Sequence, residues 1–191
     1  MSRISPETLV QAITLIQAMD VRKKEQLTDE IYRTQPHVLT AFLVQSRLGV
    51  SFVKMDFLLD LLLICFQAMK TSKLSWPLFT EDDILRQRAR LIASIQFSAD
   101  LAADLCQQAV QQYIDAHPEK YLFAFVQSEL DRWLKTVTPE ESDNFVVTTA
   151  MSLVNCIAFM PAPTQTDVKT GVPGRQIPHL RKRRRCHNEL D

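Results

Sequence analysis

Residues 36–48 read PHVLTAFLVQSRL, and residues 118–130 read PEKYLFAFVQSEL. Both stretches follow the pattern P-x7-V-Q-S-x-L, and each opens with a proline that suits the first turn of a helix. The same offset of 82 residues pairs Leu9 with Leu91 in the preceding apolar stretches. The pattern predicts an all-α protein built from two pseudo-repeated helical units.

The correspondence between the two halves changes its offset after Leu48. An offset of 91 residues then pairs Cys65 with Cys156, which predicts nine extra residues in the second unit, near residues 136–141. The alternative explanation is that two amphipathic helical hairpins resemble each other because both need the same apolar spacing. Either explanation predicts the same helical architecture.

The composition also favours a helical domain. Of the 191 residues, 46% are hydrophobic and only three are glycine. Gly49 is the one glycine before residue 160, and a sheet protein of this size needs more turn glycines than that. We expect a single compact bundle of about six to seven helices with a flexible C-terminal tail. The expected boundaries are 1–160 for the helical domain, 5–70 and 81–160 for the two units, 71–80 for the linker, and 161–191 for the tail.

Proline and capping residues mark the expected helix starts. These starts are Ser5-Pro6, Pro36, Ser51, Thr80, Pro118 and Thr138-Pro139. The first helix either continues through residues 21–34 or restarts after Asp20. Gly49 is expected to end its helix in the left-handed conformation. No helix breaker interrupts residues 80–116, which predicts one long helix there.

The stretch after Pro161 loses the apolar periodicity and carries the one dense basic run of the chain. Residues 175–191 hold six Lys or Arg against two acids, whereas the rest of the chain is net acidic. Such a run can neutralise nucleic-acid phosphates, address a nucleus, rest on an anionic membrane, or serve as a solvated tail without a dedicated partner. The nucleic-acid-binding candidates are Arg181, Lys182, Arg183, Arg184 and Arg185.

The cysteines predict neither a disulfide framework nor a metal site. They are Cys65, Cys106, Cys156 and Cys186. Three of them stand singly in apolar runs, where a free cysteine behaves as a small hydrophobic residue. We therefore expect reduced thiols in a cytoplasmic protein, and neither a metal nor another cofactor.

Asp60 interrupts the most apolar run of the chain, residues 57–66, which is too short to span a membrane. No membrane partner is expected. A buried carboxylate is costly unless it is paired or hydrogen bonded, so Asp60 and Asp56, one turn earlier, are ligand-binding candidates. The alternative is that both face water, since residues four apart share one face of a helix.

Two histidines and two linker aromatics complete the candidates. His37 and His117 stand beside helix-opening prolines, and a neutral imidazole suits ligand binding or acid–base work, with a structural role as the alternative. Trp76 and Phe79 are partner-binding candidates if they are exposed, and core residues if they are buried. No residue is assigned a catalytic role.

Two functions from different classes follow from these features. The first is a helical protein-interaction or regulatory protein that binds a protein partner or forms a homodimer, and contacts nucleic acid through its tail. The second is a small-ligand-binding protein or enzyme with its site in the seam between the two units. The sequence lacks a phosphate-binding loop, a zinc-protease helix and a nucleophile elbow, which argues against common enzyme chemistries, although a site assembled from distant residues leaves no motif.

Overall fold

The computed structural model describes residues 2–99 and 103–160, without the side chains of residues 97–99, 103, 104, 106, 107, 109 and 110. Within these residues the chain forms eight α-helices and one 3-10 helix and no strand, so the predicted all-α fold class is confirmed, with more helices than expected. The helices are α1 (Pro6–Gln17), α2 (Val21–Thr34), α3 (Pro36–Leu43), the 3-10 helix (Val44–Leu48), α4 (Phe52–Thr71), α5 (Glu81–Ala99), α6 (Ala103–Ala116), α7 (Lys120–Leu134) and α8 (Asp143–Phe159). The expected tail over 161–191 lies outside the described residues.

Side-chain caps begin the first two helices. The Ser5 hydroxyl accepts a hydrogen bond from the Thr8 N–H (3.2 Å) at the start of α1. The Asp20 carboxylate accepts one from the Lys23 N–H (2.9 Å) at the start of α2. These bonds satisfy amide groups that have no partner within the helix. The chain therefore restarts a helix after Asp20 instead of continuing α1.

Gly49 ends the third helical stretch, as predicted. After α3 the chain tightens into the 3-10 helix, and Gly49 follows it with a φ of 94°. A residue with a Cβ atom is strained in this left-handed region, whereas glycine is not. The turn at Gly49 leads the chain directly to Ser51 and the start of α4.

The single long helix predicted over residues 80–116 is wrong. Two helices, α5 and α6, occupy this stretch. At 1.5 Å per residue, one continuous helix would be about 54 Å long. Every other described helix has 20 residues or fewer. A helix of the predicted length would therefore extend past the bundle and expose the apolar face that the two shorter helices can bury.

The last two helices begin later than the prolines suggested. α7 starts at Lys120 rather than Pro118, and α8 starts at Asp143 rather than Pro139. The Asp143 carboxylate accepts a hydrogen bond from the Glu140 N–H (2.9 Å), which closes a turn before α8. The residues after Pro139 thus satisfy their polar groups outside a helix.

Corresponding helices of the two halves pack in the same pairs. α4 and α8 contact each other, α1 packs along α4, and α5 packs along α8. Each outer helix also contacts the other half, α1 through α7 and α5 through α3. Fully buried side chains fill the centre, among them Leu58, Leu62, Val146, Val154 and Ile157. Two seams therefore run between the halves, one between α3 and α5 and one between α7 and α1.

α4 is the longest described helix, and most of its apolar side chains are buried against its neighbours. Asp56 and Asp60 are exposed on this helix. Across the part of the chain that the structure describes, no helix is both long and apolar enough to cross a membrane. The apolar run in α4 is therefore accounted for by core packing.

Candidate functional site

A cleft of about 240 Å³ opens at the seam between α3 and α5, and α8 forms its third wall. We call it the open cleft. Its lining includes His37, Val38, Ala41, Phe42, Val44 and Gln45 from α3 and the 3-10 helix, Glu81, Ile84, Leu85 and Arg88 from α5, and Thr149, Ser152, Leu153 and Cys156 from α8. Helical spacing explains the set, because residues three and four apart share one face of a helix. The walls are mostly apolar, with a few polar groups among them.

Gln45 is the polar group that the fold leaves incompletely bonded. Its side chain is buried, and its Nε2 donates a hydrogen bond to the Ala41 carbonyl oxygen (2.7 Å). This bond fixes the orientation of the amide, because only the nitrogen can donate to a carbonyl. The Oε1 atom is shielded from water and accepts no hydrogen bond from any described residue. An acceptor in this state costs about 1–3 kcal/mol of stability.

Three ionisable side chains lie at the open cleft. Arg88 is half-buried, and His37 and Glu81 are exposed. Among the described residues, none forms an ion pair with Arg88. Its neighbour on the helix, Arg86, is paired with Asp83 (3.0 Å) instead. Arg88 is therefore a partly desolvated cation that the described fold does not neutralise.

The two side chains with nucleophilic atoms in the open cleft are not activated. Burial, with a smaller contribution from the Asp83 carboxylate, raises the pKa of the Cys156 thiol to about 12. The thiol is therefore protonated at neutral pH, and only the thiolate is strongly nucleophilic. The Ser152 hydroxyl donates its hydrogen bond to the Thr148 carbonyl oxygen. This arrangement suits binding better than covalent chemistry.

The seam between α7 and α1 is filled by residues of the chain itself, and we call it the closed seam. The fully buried carboxylate of Glu119 accepts hydrogen bonds from the Arg3 N–H (2.9 Å), the Arg3 Nε–H (3.1 Å) and the Ile4 N–H (3.0 Å). The Arg3 guanidinium also donates to carbonyl oxygens at the end of α8, among them Met160 (3.0 Å). The offset of 82 residues pairs Glu119 with His37 and Arg3 with Leu85. The two seams are thus occupied by different chemistry at corresponding positions.

His117 lies in the core and not in the open cleft. Its Nδ1 accepts a hydrogen bond from the Glu119 N–H (3.2 Å), so Nε2 carries the proton that is shared with the Asn155 Oδ1 (3.2 Å). Burial lowers the pKa of His117, and the hydrogen bonds only partly oppose this effect. The ring also packs against Phe123 and Phe159. His37 and His117 therefore do not share a pocket.

The carboxylates of α4 lie away from the open cleft. Asp56 and Asp60 are both exposed, which is the alternative that their spacing of four residues allowed. The Asp60 carboxylate forms an ion pair with the Lys24 ammonium (2.7 Å) on α2. Of the four ligand-binding candidates taken from the sequence, only His37 lines the open cleft.

The linker aromatics close the core. Phe79 is fully buried, and its N–H donates to the Gln35 Oε1 (2.9 Å). Trp76 is half-buried, and its indole N–H donates to the Met69 carbonyl oxygen (3.0 Å). The Arg3 guanidinium lies over the Trp76 ring, 4.9 Å from its centroid. A partner could reach Phe79 only if the linker moved, because the side chain has no exposed surface.

Sequence reasoning missed a buried ion pair as well as the roles of Gln45 and Arg88. Lys54 at the start of α4 is buried and pairs with Asp143 and Glu140 at the start of α8. Burial lowers the pKa of the Lys54 ammonium, but the hydrogen bonds to these two carboxylates outweigh it, so the pKa is raised. A lysine just inside an apolar helix was the available signal, but the sequence does not show which distant acid faces it.

Comparisons of the chain with protein-family models, with curated proteins and with solved structures gave no match. Within residues 2–99 and 103–160, no group of three His, Cys, Asp or Glu side chains is arranged to hold a metal ion. The nucleic-acid-binding candidates at 181–185, and also Cys186, lie outside the described residues. The geometry of the open cleft is therefore the basis for a functional proposal.

Proposed function

We propose that this chain is a small-ligand-binding protein whose site is the open cleft. One observation carries the proposal: the buried Gln45 amide contributes to the wall of the cleft and has an acceptor oxygen without a partner among the described residues. Buried polar atoms in folded proteins are normally hydrogen bonded, and the exceptions are concentrated at functional sites. Apolar walls with a few placed polar groups are the usual composition of ligand sites.

We also propose that the two halves are copies of one four-helix unit. The bounds of α2, 21–34, shifted by 82 residues give 103–116, which are the bounds of α6. The first residue of α4, Phe52, shifted by 91 residues gives Asp143, the first residue of α8. The matching helix pairs, α1 with α4 and α5 with α8, support the same proposal. A duplicated unit explains why one seam can be open where its counterpart is closed.

Binding of anilinonaphthalene sulfonate to the purified full chain tests the proposed site. Ala41 lines the cleft, so Ala41→Met fills it and is expected to weaken binding of the dye at least about tenfold. The matched control is Ala89→Met, on the exposed side of α5. Thermal unfolding verifies that both variants are folded. Dye affinity that Ala41→Met leaves unchanged, or no dye binding at all, contradicts the proposal.

A second candidate function is protein interaction through an exposed apolar surface at the start of α4. Phe52 is 85% exposed and Val53 is 77% exposed, and exposed Leu48 precedes them on the 3-10 helix. We name these three residues the Phe52 surface. Contiguous apolar residues of this size on a surface mark interaction sites. Residues 48–53 contain no charge, so the same surface on a second copy can approach without repulsion, and we propose a homodimer.

Light scattering after size-exclusion chromatography tests the homodimer. The full chain is expected to dimerise as its concentration rises, and Phe52→Ser is expected to keep it monomeric. Tyr32→Ser is the control, because Tyr32 is also exposed but lies on α2. A chain that stays monomeric at every concentration, or a dimer that Phe52→Ser does not affect, contradicts this second candidate. Loss of dye binding in Phe52→Ser, but not in Ala41→Met, would assign the dye to the Phe52 surface.

We keep two predictions from the sequence as proposals. The basic run over 181–185 binds nucleic acid, and truncation after Thr170 is expected to abolish binding to mixed nucleic acid at low salt. Binding that survives the truncation contradicts this role. A cytoplasmic location is supported by the buried free thiols of Cys65 and Cys156, which a reducing compartment maintains. Fractionation of the source cells tests the location.

A further inference from the structure

We infer that the open cleft takes a small carboxylic acid with an apolar or aromatic body and an N–H or O–H donor. The inference rests on the proposed ligand-binding function and names the class of ligand. Three features of the cleft carry it, namely the unpaired acceptor of Gln45, the unpaired cation of Arg88 and the apolar walls. Each feature requires one chemical group of the ligand.

The donor follows from the amide of Gln45. Its nitrogen is committed to the Ala41 carbonyl oxygen, so the free atom is the Oε1 acceptor. The cleft walls shield this atom from bulk water, and a donor can reach it when a neighbouring side chain changes its rotamer. A ligand N–H or O–H at this position satisfies the acceptor. A ligand without a donor leaves it unpaired.

The negative charge follows from Arg88. Its guanidinium is half-buried and unpaired among the described residues, and it stays protonated at every physiological pH. A carboxylate matches the two-pronged geometry of this group and forms charge-assisted hydrogen bonds with it. His37 at the rim adds no negative charge.

The closed seam provides an internal comparison for the charge. There the fold supplies the acid, Glu119, and the chain inserts the cation, Arg3, together with a backbone N–H donor from Ile4. The open cleft has His37 at the position of Glu119 and an unpaired arginine on its own wall. The charge of the missing partner is therefore inverted, and an acid completes the open cleft as the cation completes the closed seam.

Glu81 is the one acid that lines the open cleft. Its side chain is exposed at the first residue of α5, where water and salt screen its charge. Its repulsion of a bound carboxylate is therefore smaller than the attraction of the half-buried Arg88. Replacing it tests the sign of the proposed charge, and Glu81→Gln is expected to tighten binding of an acid modestly.

Calorimetry with three matched probes tests the inference on the full chain. Indoleacetate carries both the acid and the N–H donor, indoleacetamide lacks the charge, and benzofuranacetate has an ether oxygen in place of the N–H. We expect indoleacetate to bind at least about tenfold more tightly than either of the other two. Equal affinities for the acid and the amide overturn the charge, and equal affinities for the indole and the benzofuran overturn the donor.

Two variants assign these preferences to residues. Gln45→Met is expected to remove the preference for indole over benzofuran and to keep the preference for the acid. Arg88→Gln is expected to do the reverse. Preferences that persist in these variants overturn the inference, because a purely structural role would not change one preference and spare the other. If the dye binds and Ala41→Met blocks it while no indole probe binds, the ligand class fails and the proposed site stands.

Discussion

The two seams between the helical halves differ in what completes them. In the closed seam, Arg3 and Ile4 bring three donors to the Glu119 carboxylate, and the chain satisfies its own buried acid. In the open cleft, at the corresponding place, Gln45 Oε1 has no partner among the described residues. One seam therefore contributes to stability, whereas the other holds polar groups in a state that only a ligand can complete. The closed seam shows what a completed seam looks like.

The largest effect is expected from the closed seam. Glu119→Ala leaves the Arg3 side chain and two backbone N–H groups without their acceptor, so we expect the free energy of unfolding to fall by about 3 kcal/mol. The measurement is urea denaturation at neutral pH. His37→Ala changes the residue at the corresponding position, and we expect an effect within about 0.5 kcal/mol because His37 is exposed. Similar losses in the two variants would break the distinction between the seams.

A pH titration sharpens the comparison one residue further along the chain. The offset of 82 residues pairs His117 with Gln35, and both are buried at a junction between helices. Burial lowers the pKa of His117, so the unfolded chain takes up a proton at a higher pH than the folded chain does. The free energy of unfolding is expected to fall below pH about 6.5, by at most about 1.4 kcal/mol per pH unit.

His117→Gln supplies the control for this titration. Glutamine is the residue that the first half has at this place, and it does not titrate. The variant keeps Glu119 and Arg90, the charged groups that act on His117, so the difference between the two stability curves isolates the imidazole. Parallel curves for the variant and the natural chain from pH 7 to pH 5 would show that His117 is not the group responsible.

The sequence predicted the elements better than their ends. The prolines and caps predicted the starts of α1 and α4, and Gly49 ended its helix as expected. The division between α5 and α6 left no proline or glycine to announce it, because it follows from the dimensions of the bundle. Local sequence specifies helices, whereas their lengths depend on what they pack against.

The candidate site was less predictable than the fold. His37 was singled out and lines the open cleft, but Asp56 and Asp60 proved to be exposed. Gln45 belongs to the repeated Val-Gln-Ser pattern, yet a buried glutamine becomes informative only when its partners can be counted. Arg88 presents the same difficulty, because pairing within a helix explains Arg86 and nothing in the sequence separates the two.

Gly49 marks a place where the halves diverge. α3 and its 3-10 helix end there, whereas α7 continues through the corresponding residue, Asp131. Gly49→Ala is expected to lower the free energy of unfolding by about 1 kcal/mol, because the backbone φ of 94° strains a residue with a Cβ atom although the surrounding space is empty. Asp131→Ala lies inside a helix and should be neutral or slightly stabilising in the same urea assay. A loss as large in Asp131→Ala would remove the left-handed turn as the cause.

The smallest effect has the opposite sign and bears most directly on function. Gln45→Met keeps the shape of the side chain and removes an acceptor that has no partner, so we expect the ligand-free chain to gain about 0.5–1 kcal/mol in its free energy of unfolding. The control is Gln127→Met, at the corresponding position of α7, with an expected change within about 0.5 kcal/mol. A gain at Gln45 accompanied by weaker indoleacetate binding would show that the open cleft lowers stability for the sake of recognition. A loss of stability would mean that the amide holds the cleft together, and the open cleft would then resemble the closed seam after all.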